Sequence, residues 1–251
     1  MNLLDPITRN GRAFFLAYDQ GLEHGPIDFN DENFDPAFIV KLADSGYFTS
    51  VIFQKGIAEK YYDTKQHPTP LIVKLNGKTT FQSGEPYAPR LCSVEEAIAL
   101  GARGVGYTIY PGSTYQEQMM NDFAGIEETA HKNNLAVILW LYPRGENVKG
   151  KEKSKEVLTY AARIGLELGA DMIKIYYPDD PSAFGEMVKV AGRVKVLVSG
   201  GTKQNDEKLF SLAKQVLLQG GAGLAVGRNI WQSDQPLERA KKLAEIIFNY
   251  V

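Results

Sequence analysis

Hydrophobic residues along this chain alternate between short dense runs and longer stretches in which apolar positions recur every three or four residues. The short runs have the length and the β-branched and aromatic content of buried strands, whereas the longer stretches are typical of amphipathic helices. Strands and helices in alternation predict a parallel sheet covered by helices. Eight runs predict strands: AFFLAYD (13–19), TSVIFQK (49–55), LIVKLN (71–76), VGYTIY (105–110), AVILWLY (136–142), DMIKIYY (171–177), KVLVSG (195–200) and GLAVG (223–227).

The segments between these runs predict helices. They include SVEEAIALGA (93–102), TYQEQMMNDFAGIEETAHKN (114–133), KEVLTYAARIGLELG (155–169) and PLERAKKLAEIIFNY (236–250). Eight strand–helix units predict an α/β protein with a single (β/α)8 TIM barrel, and we expect residues 1–251 to form one domain. A doubly wound open sheet is the alternative, but no GxGxxG motif follows the first strand and no crossover is long enough for a second domain.

Composition argues against nucleic-acid and membrane partners. The chain carries 28 Lys and Arg against 30 Asp and Glu, and its basic residues are not clustered with aromatic ones, so we expect no nucleic-acid partner. It has neither a basic leader with an apolar core nor an apolar run near the roughly 20 residues of a membrane helix, so we expect a cytoplasmic protein with no membrane association. The single cysteine, Cys92, precludes an intramolecular disulfide.

Polar residues late in the predicted strands form the first candidate site. In a barrel of this kind the chemistry lies at the carboxyl ends of the strands, and alternate residues of a strand share one face. Four strands carry a polar residue there on the same face as apolar ones: Asp19 with Phe15 and Ala17, Lys74 with Ile72 and Asn76, Tyr142 with Ile138 and Trp140, and Lys174 with Met172 and Tyr176. If these faces point into the barrel, two lysines, an aspartate and a tyrosine converge there.

A lysine inside an apolar strand has two interpretations. Burial lowers the pKa of an amine from its usual value of about 10.4 and makes it partly neutral and nucleophilic. The alternative is a structural ion pair or a strand-end lysine whose ammonium reaches water. Lys174 and Lys74 both fit the pattern, and the arrangement of faces does not choose between them.

The last two predicted strands end in glycine: VSGG (198–201) and VGRN (226–229). Loops after the seventh and eighth strands are the recurrent phosphate site of this fold, although glycines after strands are as often simple turns. We therefore expect a phosphorylated substrate. The long irregular segment 77–91 is expected to cover the site. The three histidines, His24, His67 and His131, lack a metal-ligand spacing, so we expect neither a metal nor another cofactor.

Segments along nearly the whole chain resemble the archaeal-type class I fructose-bisphosphate aldolases, the DhnA group of lysine-dependent aldolases. In chain order they are LAYDQGLEHGP, FQKGIAEKYYD, LIVKLNGKTTF, GYTIYPGS, WLYPRG, the IK of DMIKIYY, VSGG and AVGRNIW. The resemblance implies reversible cleavage of fructose 1,6-bisphosphate to dihydroxyacetone phosphate and glyceraldehyde 3-phosphate, in glycolysis and gluconeogenesis. It also implies a homo-oligomer, since the family often forms rings that pair into decamers.

The resemblance also implies roles for individual residues. Lys174 would form the Schiff base, Tyr142 would donate and accept protons, and Asp19 would be the carboxylate of the catalytic set, with Lys74 as its electrostatic partner. The implied substrate contacts are Gln20, His24, Lys74, Trp140, Arg144 and Tyr176. The implied phosphate contacts are Ser199, Gly200, Gly201, Gly227 and Arg228. The chain departs from the family pattern at Gln20, where relatives often have DHG, and at YYPDD (176–180), in place of a glycine-containing turn.

Chemistry agrees with this assignment, because cleaving a carbon–carbon bond beside a ketone needs an electron sink and a protonated imine supplies one. Two other functions stay open. One is the transaldol reaction that yields 2-amino-3,7-dideoxy-D-threo-hept-6-ulosonate for aromatic biosynthesis. The other is sugar-phosphate binding without catalysis, which would not need a lysine and a tyrosine on neighbouring strands.

Overall fold

The computed structural model describes residues 2–81 and 83–249. Eight parallel strands pair in chain order, and the last pairs with the first to close a barrel, so the predicted TIM barrel is confirmed. The strands are β1 (Ala13–Tyr18), β2 (Ser50–Gln54), β3 (Leu71–Lys74), β4 (Gly104–Ile109), β5 (Ala136–Leu141), β6 (Met172–Ile175), β7 (Lys195–Ser199) and β8 (Gly223–Val226). Several end before the predicted runs do, which leaves Asp19, Tyr142 and Tyr176 just beyond their strands.

Helices surround the barrel. They are α1 (Gly21–His24), α2 (Pro36–Ala43), α3 (Lys55–Tyr61), α4 (Val94–Ala99), α5 (Gln116–Lys132), α6 (Lys155–Glu167), α7 (Phe184–Val190), α8 (Asp206–Leu218), α9 (Arg228–Trp231) and α10 (Pro236–Asn249). Ser93, Ser154 and Asn205 cap the starts of α4, α6 and α8 by accepting backbone N–H bonds. None of the helices in the described part of the chain has the length and apolar character that crossing a bilayer requires.

Strand side chains divide into two packed layers. One set, which includes Phe14, Val73 and Leu139, packs with helix residues such as Phe123 in the outer layer. The other set, which includes Phe15 and Met172, fills the barrel interior. Because this alternation follows the pleat of each strand, the polar residues that continue the inner set emerge at the carboxyl end of the barrel.

The opposite end of the barrel is closed by the N-terminal segment. Leu4 and Ile7, from a short 3-10 turn at Asp5–Ile7 and the residue before it, belong to the same buried cluster as the interior strand residues. Ile7 is fully buried. The described chain therefore leaves the carboxyl end of the barrel as its open mouth.

Candidate active site

A cavity at the carboxyl end of the barrel gathers all of the residues that the sequence predicts for the site. Its lining includes Asp19, Gln20 and His24 from β1 and the segment after it, Lys74 from β3, Trp140, Tyr142 and Arg144 from β5 and its loop, Lys174 and Tyr176 from β6, and Ser199, Gly200, Gly201, Gly227 and Arg228 from the ends of β7 and β8. The lining also includes Ala17, which shares the inner face of β1 with Asp19, and Gly77 and Lys78 from the segment expected to cover the site. Sequence reasoning missed the other lining residues, which are Leu22, Glu23, Gln54, Thr108, Tyr110 and Ala225.

The two buried lysines differ in their hydrogen bonds. Each is 5% exposed. The Lys74 Nζ donates to the backbone O and the Oδ1 of Asn76, both at 2.8 Å, whereas Lys174 has no hydrogen-bond partner among the described residues. Asn76 is itself fixed, since its Nδ2 donates to Ala88 and Thr108 carbonyls at 2.9 Å and its Oδ1 accepts from the Thr108 N–H at 2.8 Å. Lys74 is therefore held in place, and the amine of Lys174 is available to a ligand.

Burial lowers the pKa of both amines. Desolvation lowers the pKa of Lys74 to about 8, against the attraction of Asp19 and Glu23. Desolvation also lowers the pKa of Lys174, and Asp19 opposes it. An amine with a lowered pKa is neutral in a larger fraction of molecules near neutral pH, which is the state that attacks a carbonyl.

Trp140 lies against both lysines and depends on a glycine in the neighbouring strand. The centroid of its ring is 4.9 Å from the Lys174 Nζ and 5.6 Å from the Lys74 Nζ. A Cβ on Gly106 of β4 would overlap the Trp140 ring, so glycine is needed for the indole to take this position. The buried Trp140 Nε1 and Gln20 Nε2 have no hydrogen-bond partner in the described part of the chain. Buried donors are normally paired, so these two are suited to a ligand.

Tyr142 is buried beside a second tyrosine. Its ring stacks on that of Tyr176, with centroids 4.7 Å apart. Burial, followed by the neighbouring Tyr176 and Asp19, raises the pKa of Tyr142 well above its ordinary value. The phenol therefore stays protonated at neutral pH and can donate a proton.

Arg144 extends from the loop after β5 over these rings. Its Nε and Nη2 donate to the Tyr176 hydroxyl at 3.1 and 2.9 Å, and its Nη1 donates to Glu23 Oε1 at 2.7 Å. Burial alone would lower the pKa of Arg144, but Tyr176 and Glu23 raise it, so the guanidinium stays charged. It places a positive charge at the mouth.

The glycines at the ends of β7 and β8 allow close packing between loops. A Cβ on Gly227 would lie 2.5 Å from the Ala17 carbonyl oxygen, and a Cβ on Gly200 would lie 2.8 Å from Val226 Cγ1. Gly201 adopts φ +67°, which L side chains rarely adopt. The Gly200 N–H already donates to Ala225 at 2.9 Å, so this amide is not available to a phosphate.

Asn229, which sequence reasoning also missed, fixes the loop after β7. It is fully buried, and its Nδ2 donates to the Gly200 and Thr202 carbonyls at 2.7 and 3.1 Å, while its Oδ1 accepts from the Gln204 N–H at 2.7 Å. Nothing in the local pattern of AVGRNIW distinguishes this asparagine from a surface residue. Its partners lie 25 to 29 positions away in sequence.

The long segment 77–91 covers the cavity only in part. Gly77 and Lys78 line it. Farther along, Glu85 accepts from the backbone N–H of Thr114 and of Glu146 at 3.1 and 2.9 Å, which holds this part against the loops after β4 and β5. Gln82 lies outside the described residues. The expected cover is therefore limited to the first residues of the segment.

The histidines lie in separate parts of the described structure. His24 Nδ1 contacts Asp28 Oδ2 at 2.8 Å, His67 Nδ1 contacts Asp44 Oδ2 at 2.7 Å, and His131 lies between Glu127 and Asp171. Within residues 2–81 and 83–249, no three His, Cys, Asp or Glu side chains are grouped so as to hold a metal ion.

Comparison with known proteins shows strong similarity to aldolases. Residues 13–233 match the model of the DeoC/LacD family of aldolases. The chain is 51% identical to a class 1 fructose-bisphosphate aldolase of Thermoproteus tenax, over 96% of this chain and 91% of that protein. It is 38% identical to the class 1 enzyme of Halobacterium salinarum, over 97% and 93%.

A solved structure gives the same result. An archaeal fructose-1,6-bisphosphate aldolase, with its catalytic lysine covalently bound to the carbinolamine intermediate of the substrate, superposes with a TM-score of 0.93. It is 48% identical, and the match covers 98% of each chain.

Proposed function

The chain belongs to the DeoC/LacD family of aldolases, and we propose that it is a class I fructose-1,6-bisphosphate aldolase that forms its imine at Lys174. The reaction is the reversible cleavage of fructose 1,6-bisphosphate to dihydroxyacetone phosphate and glyceraldehyde 3-phosphate. The observation that carries the assignment of the nucleophile is the buried Lys174 amine, which has no hydrogen-bond partner among the described residues although it faces the cavity. The other candidate, Lys74, is held by Asn76.

In the cleavage direction, the neutral Lys174 amine attacks the C2 carbonyl of the open-chain sugar and gives a carbinolamine, which loses water to form the protonated imine. Removal of the C4 hydroxyl proton then breaks the C3–C4 bond, and the electron pair of that bond moves into the imine to give an enamine. Glyceraldehyde 3-phosphate leaves. Protonation of the enamine at C3 and hydrolysis of the imine release dihydroxyacetone phosphate and restore the amine.

Tyr142 and Asp19 support these steps in different ways. Tyr142 lines the same cavity as Lys174 and its phenol is protonated at neutral pH, so it is placed to protonate the carbinolamine hydroxyl as water departs. The negative charge of Asp19 acts on both lysines and favours their cationic forms. The imine carries a positive charge that the free amine lacks, so a fixed carboxylate stabilises the intermediate.

Two groups of residues are suited to the two phosphates. Ser199, Gly201, Gly227 and Arg228 lie at the ends of β7 and β8, the usual phosphate position of this fold. Arg144 and Lys78, from the loops after β5 and β3, supply positive charge elsewhere around the mouth. We assign the phosphate of the dihydroxyacetone half to the first group and the second phosphate to the second. His24 lies beside the first group, because its Nδ1 contacts the same Asp28 oxygen that contacts Arg228.

The setting of the enzyme is part of the same proposal. Its substrate and products are sugar phosphates, which are intermediates of glycolysis and gluconeogenesis, and this supports a cytoplasmic location. We also propose one domain over residues 1–251 and a homo-oligomer, with the decamer as the first assembly to test.

The direct test is to incubate the protein with fructose 1,6-bisphosphate and couple triose phosphate formation to a dehydrogenase readout. The proposal expects both triose phosphates in equal amounts. A protein that binds the sugar without turnover would instead be a binding protein. Turnover that yields a condensed aminodideoxyheptulosonate from a different donor would indicate the transaldol reaction.

A further inference from the structure

Arg144 and Lys78, the two cations assigned to the second phosphate, already contact a carboxylate of the same chain. Glu23 Oε1 accepts from Arg144 Nη1 at 2.7 Å, and the same oxygen lies 3.8 Å from Lys78 Nζ. Glu23 belongs to α1, the one-turn helix that follows β1, so this contact joins three loops across the mouth of the barrel. All three side chains line the cavity.

From this contact we infer that Glu23 is a specificity-determining residue, an internal counter-ion that occupies Arg144 and Lys78 until the second phosphate of a sugar bisphosphate displaces it. The inference rests on the proposed function, because it requires a substrate with a second phosphate at this place. Its consequence is that an anion with only one point of attachment binds poorly here. A bisphosphate, which is also held by the imine and the first phosphate, offsets the cost of separating the ion pair.

Partial burial of the ion pair strengthens the competition between Glu23 and the second phosphate. The side chains of Glu23, Lys78 and Arg144 are 25%, 20% and 34% exposed, so water screens their charges only in part. Burial alone would raise the pKa of Glu23, but Arg144 and Lys78 outweigh it and the net pKa is lowered. Glu23 is thus ionised at neutral pH, and a phosphate brought to Arg144 meets a fixed negative charge.

A second ion pair also supports the inference that carboxylates in the segment after β1 act as counter-ions to cations of the cavity. Asp28 Oδ2 lies 3.4 Å from Arg228 Nη1 and 2.8 Å from His24 Nδ1. Residues 21–28 therefore supply a carboxylate to each of the two arginines that line the cavity, one from the β5 loop and one from the β8 loop.

A simpler role for Glu23 would be to hold Arg144 in the orientation that binds phosphate. The two roles give opposite results for Glu23→Gln, which keeps the size and the hydrogen-bonding capacity of the side chain and removes its charge. A counter-ion that is lost leaves Arg144 free for phosphate, so binding tightens. A positioning residue that is lost leaves Arg144 misplaced, so binding weakens.

The experiment compares fructose 1,6-bisphosphate with fructose 1-phosphate, which lacks the second phosphate. For Glu23→Gln we expect the KM for the bisphosphate to fall by about tenfold, the size expected when one partly screened like charge is removed from beside an anion. The KM for fructose 1-phosphate should stay within about twofold of wild type. A bisphosphate KM that is unchanged or raised would overturn the inference.

Calorimetric titration with inorganic phosphate tests the inference without catalysis. At the second phosphate site, Glu23→Gln should bind phosphate about tenfold more tightly than wild type, and this gain should vanish when Arg144→Gln is added. Glu128→Gln, which removes the charge of an exposed ion pair with Lys132 on α5, is the matched control and should bind as wild type does. The counter-ion role would be refuted if Glu23→Gln bound phosphate no more tightly than wild type, or if its higher affinity persisted after Arg144→Gln was added. If the wild type cleaves neither sugar, the proposed function fails, and the phosphate titrations still decide this inference.

Discussion

Tyr142 and Tyr176 stack with their ring centroids 4.7 Å apart and their ring planes inclined by 21°. Arg144 donates two hydrogen bonds to the Tyr176 hydroxyl, so that ring is anchored from the loop after β5. The anchored ring fixes the plane of Tyr142 inside the cavity. The two phenols, although adjacent, therefore have different roles: one holds an arginine and the other is available for proton transfer.

Replacing Tyr142 with phenylalanine keeps the stacked ring and removes the hydroxyl. We expect kcat for fructose 1,6-bisphosphate to fall by a factor of about 100 or more, because the proton donor is lost. Covalent trapping at Lys174 should persist, since the amine is untouched, but it should proceed more slowly because imine formation loses its proton donor. Tyr176→Phe is the comparison and should raise KM more than it lowers kcat, because Arg144 loses the two hydrogen bonds to the Tyr176 hydroxyl that hold it in place. Normal turnover by Tyr142→Phe would show that another group carries the proton.

Replacing Gly106 with alanine should damage the site from the neighbouring strand. The new methyl group would overlap the Trp140 ring, which must then move away from both lysines. We expect kcat/KM to fall at least about tenfold, as misplacement in a site commonly costs that much or more. Gly125→Ala, at a position of α5 where a Cβ meets nothing within 4 Å, is the matched control. Equal activity of the two variants would show that the position of the Trp140 ring does not matter for catalysis.

Gly201 and Gly227, which we assign to the first phosphate, should respond differently to substitution. A Cβ on Gly201 meets no atom within 4 Å, so Gly201→Val should fold, at a cost of about 1–2 kcal/mol for its left-handed backbone, and raise KM. Gly227→Ala should lower Tm as well, because its Cβ meets the Ala17 carbonyl oxygen of β1. Kinetics and thermal unfolding of both variants check this. An unchanged KM for both would argue against phosphate binding at these loops.

Lys74 should make stability depend on pH in the alkaline range. Its pKa is about 8 in the folded protein and near 10.5 in the unfolded chain, so between these values the unfolded state binds more protons and stability rises with pH. Lys74→Met should reduce that rise by up to about 3 kcal/mol, measured by urea unfolding at several pH values. Lys132→Met, which removes an exposed lysine of α5, should leave it unchanged. If Lys74→Met and wild type have the same slope, Lys74 is not destabilised by burial.

Much of the fold and of the cavity could be predicted from the sequence, because strand runs and their alternating faces are local patterns. The same rule could have found Gln54 and Thr108, which continue the inner faces of β2 and β4. The choice between Lys74 and Lys174 could not be made in this way. It depends on Asn76, whose side chain is fixed by Thr108 from another strand.

Contacts between loops could not be predicted from the sequence either, because they also join residues that are far apart in the chain. Glu23 and Arg144 are 121 positions apart, and neither lies in a periodic segment that would indicate its partner. The length of segment 77–91 suggested a cover, but length does not show that Glu85 binds the neighbouring loops.

The most direct test of the central claim is borohydride reduction in the presence of dihydroxyacetone phosphate, followed by mass spectrometry and peptide mapping. The wild type should gain one covalent substrate mass, located in the peptide that contains DMIKIYY (171–177). Lys174→Met should gain none, and Lys74→Met should still be labelled at Lys174. An adduct at Lys74, or no adduct in an enzyme that turns over, would contradict imine formation at Lys174.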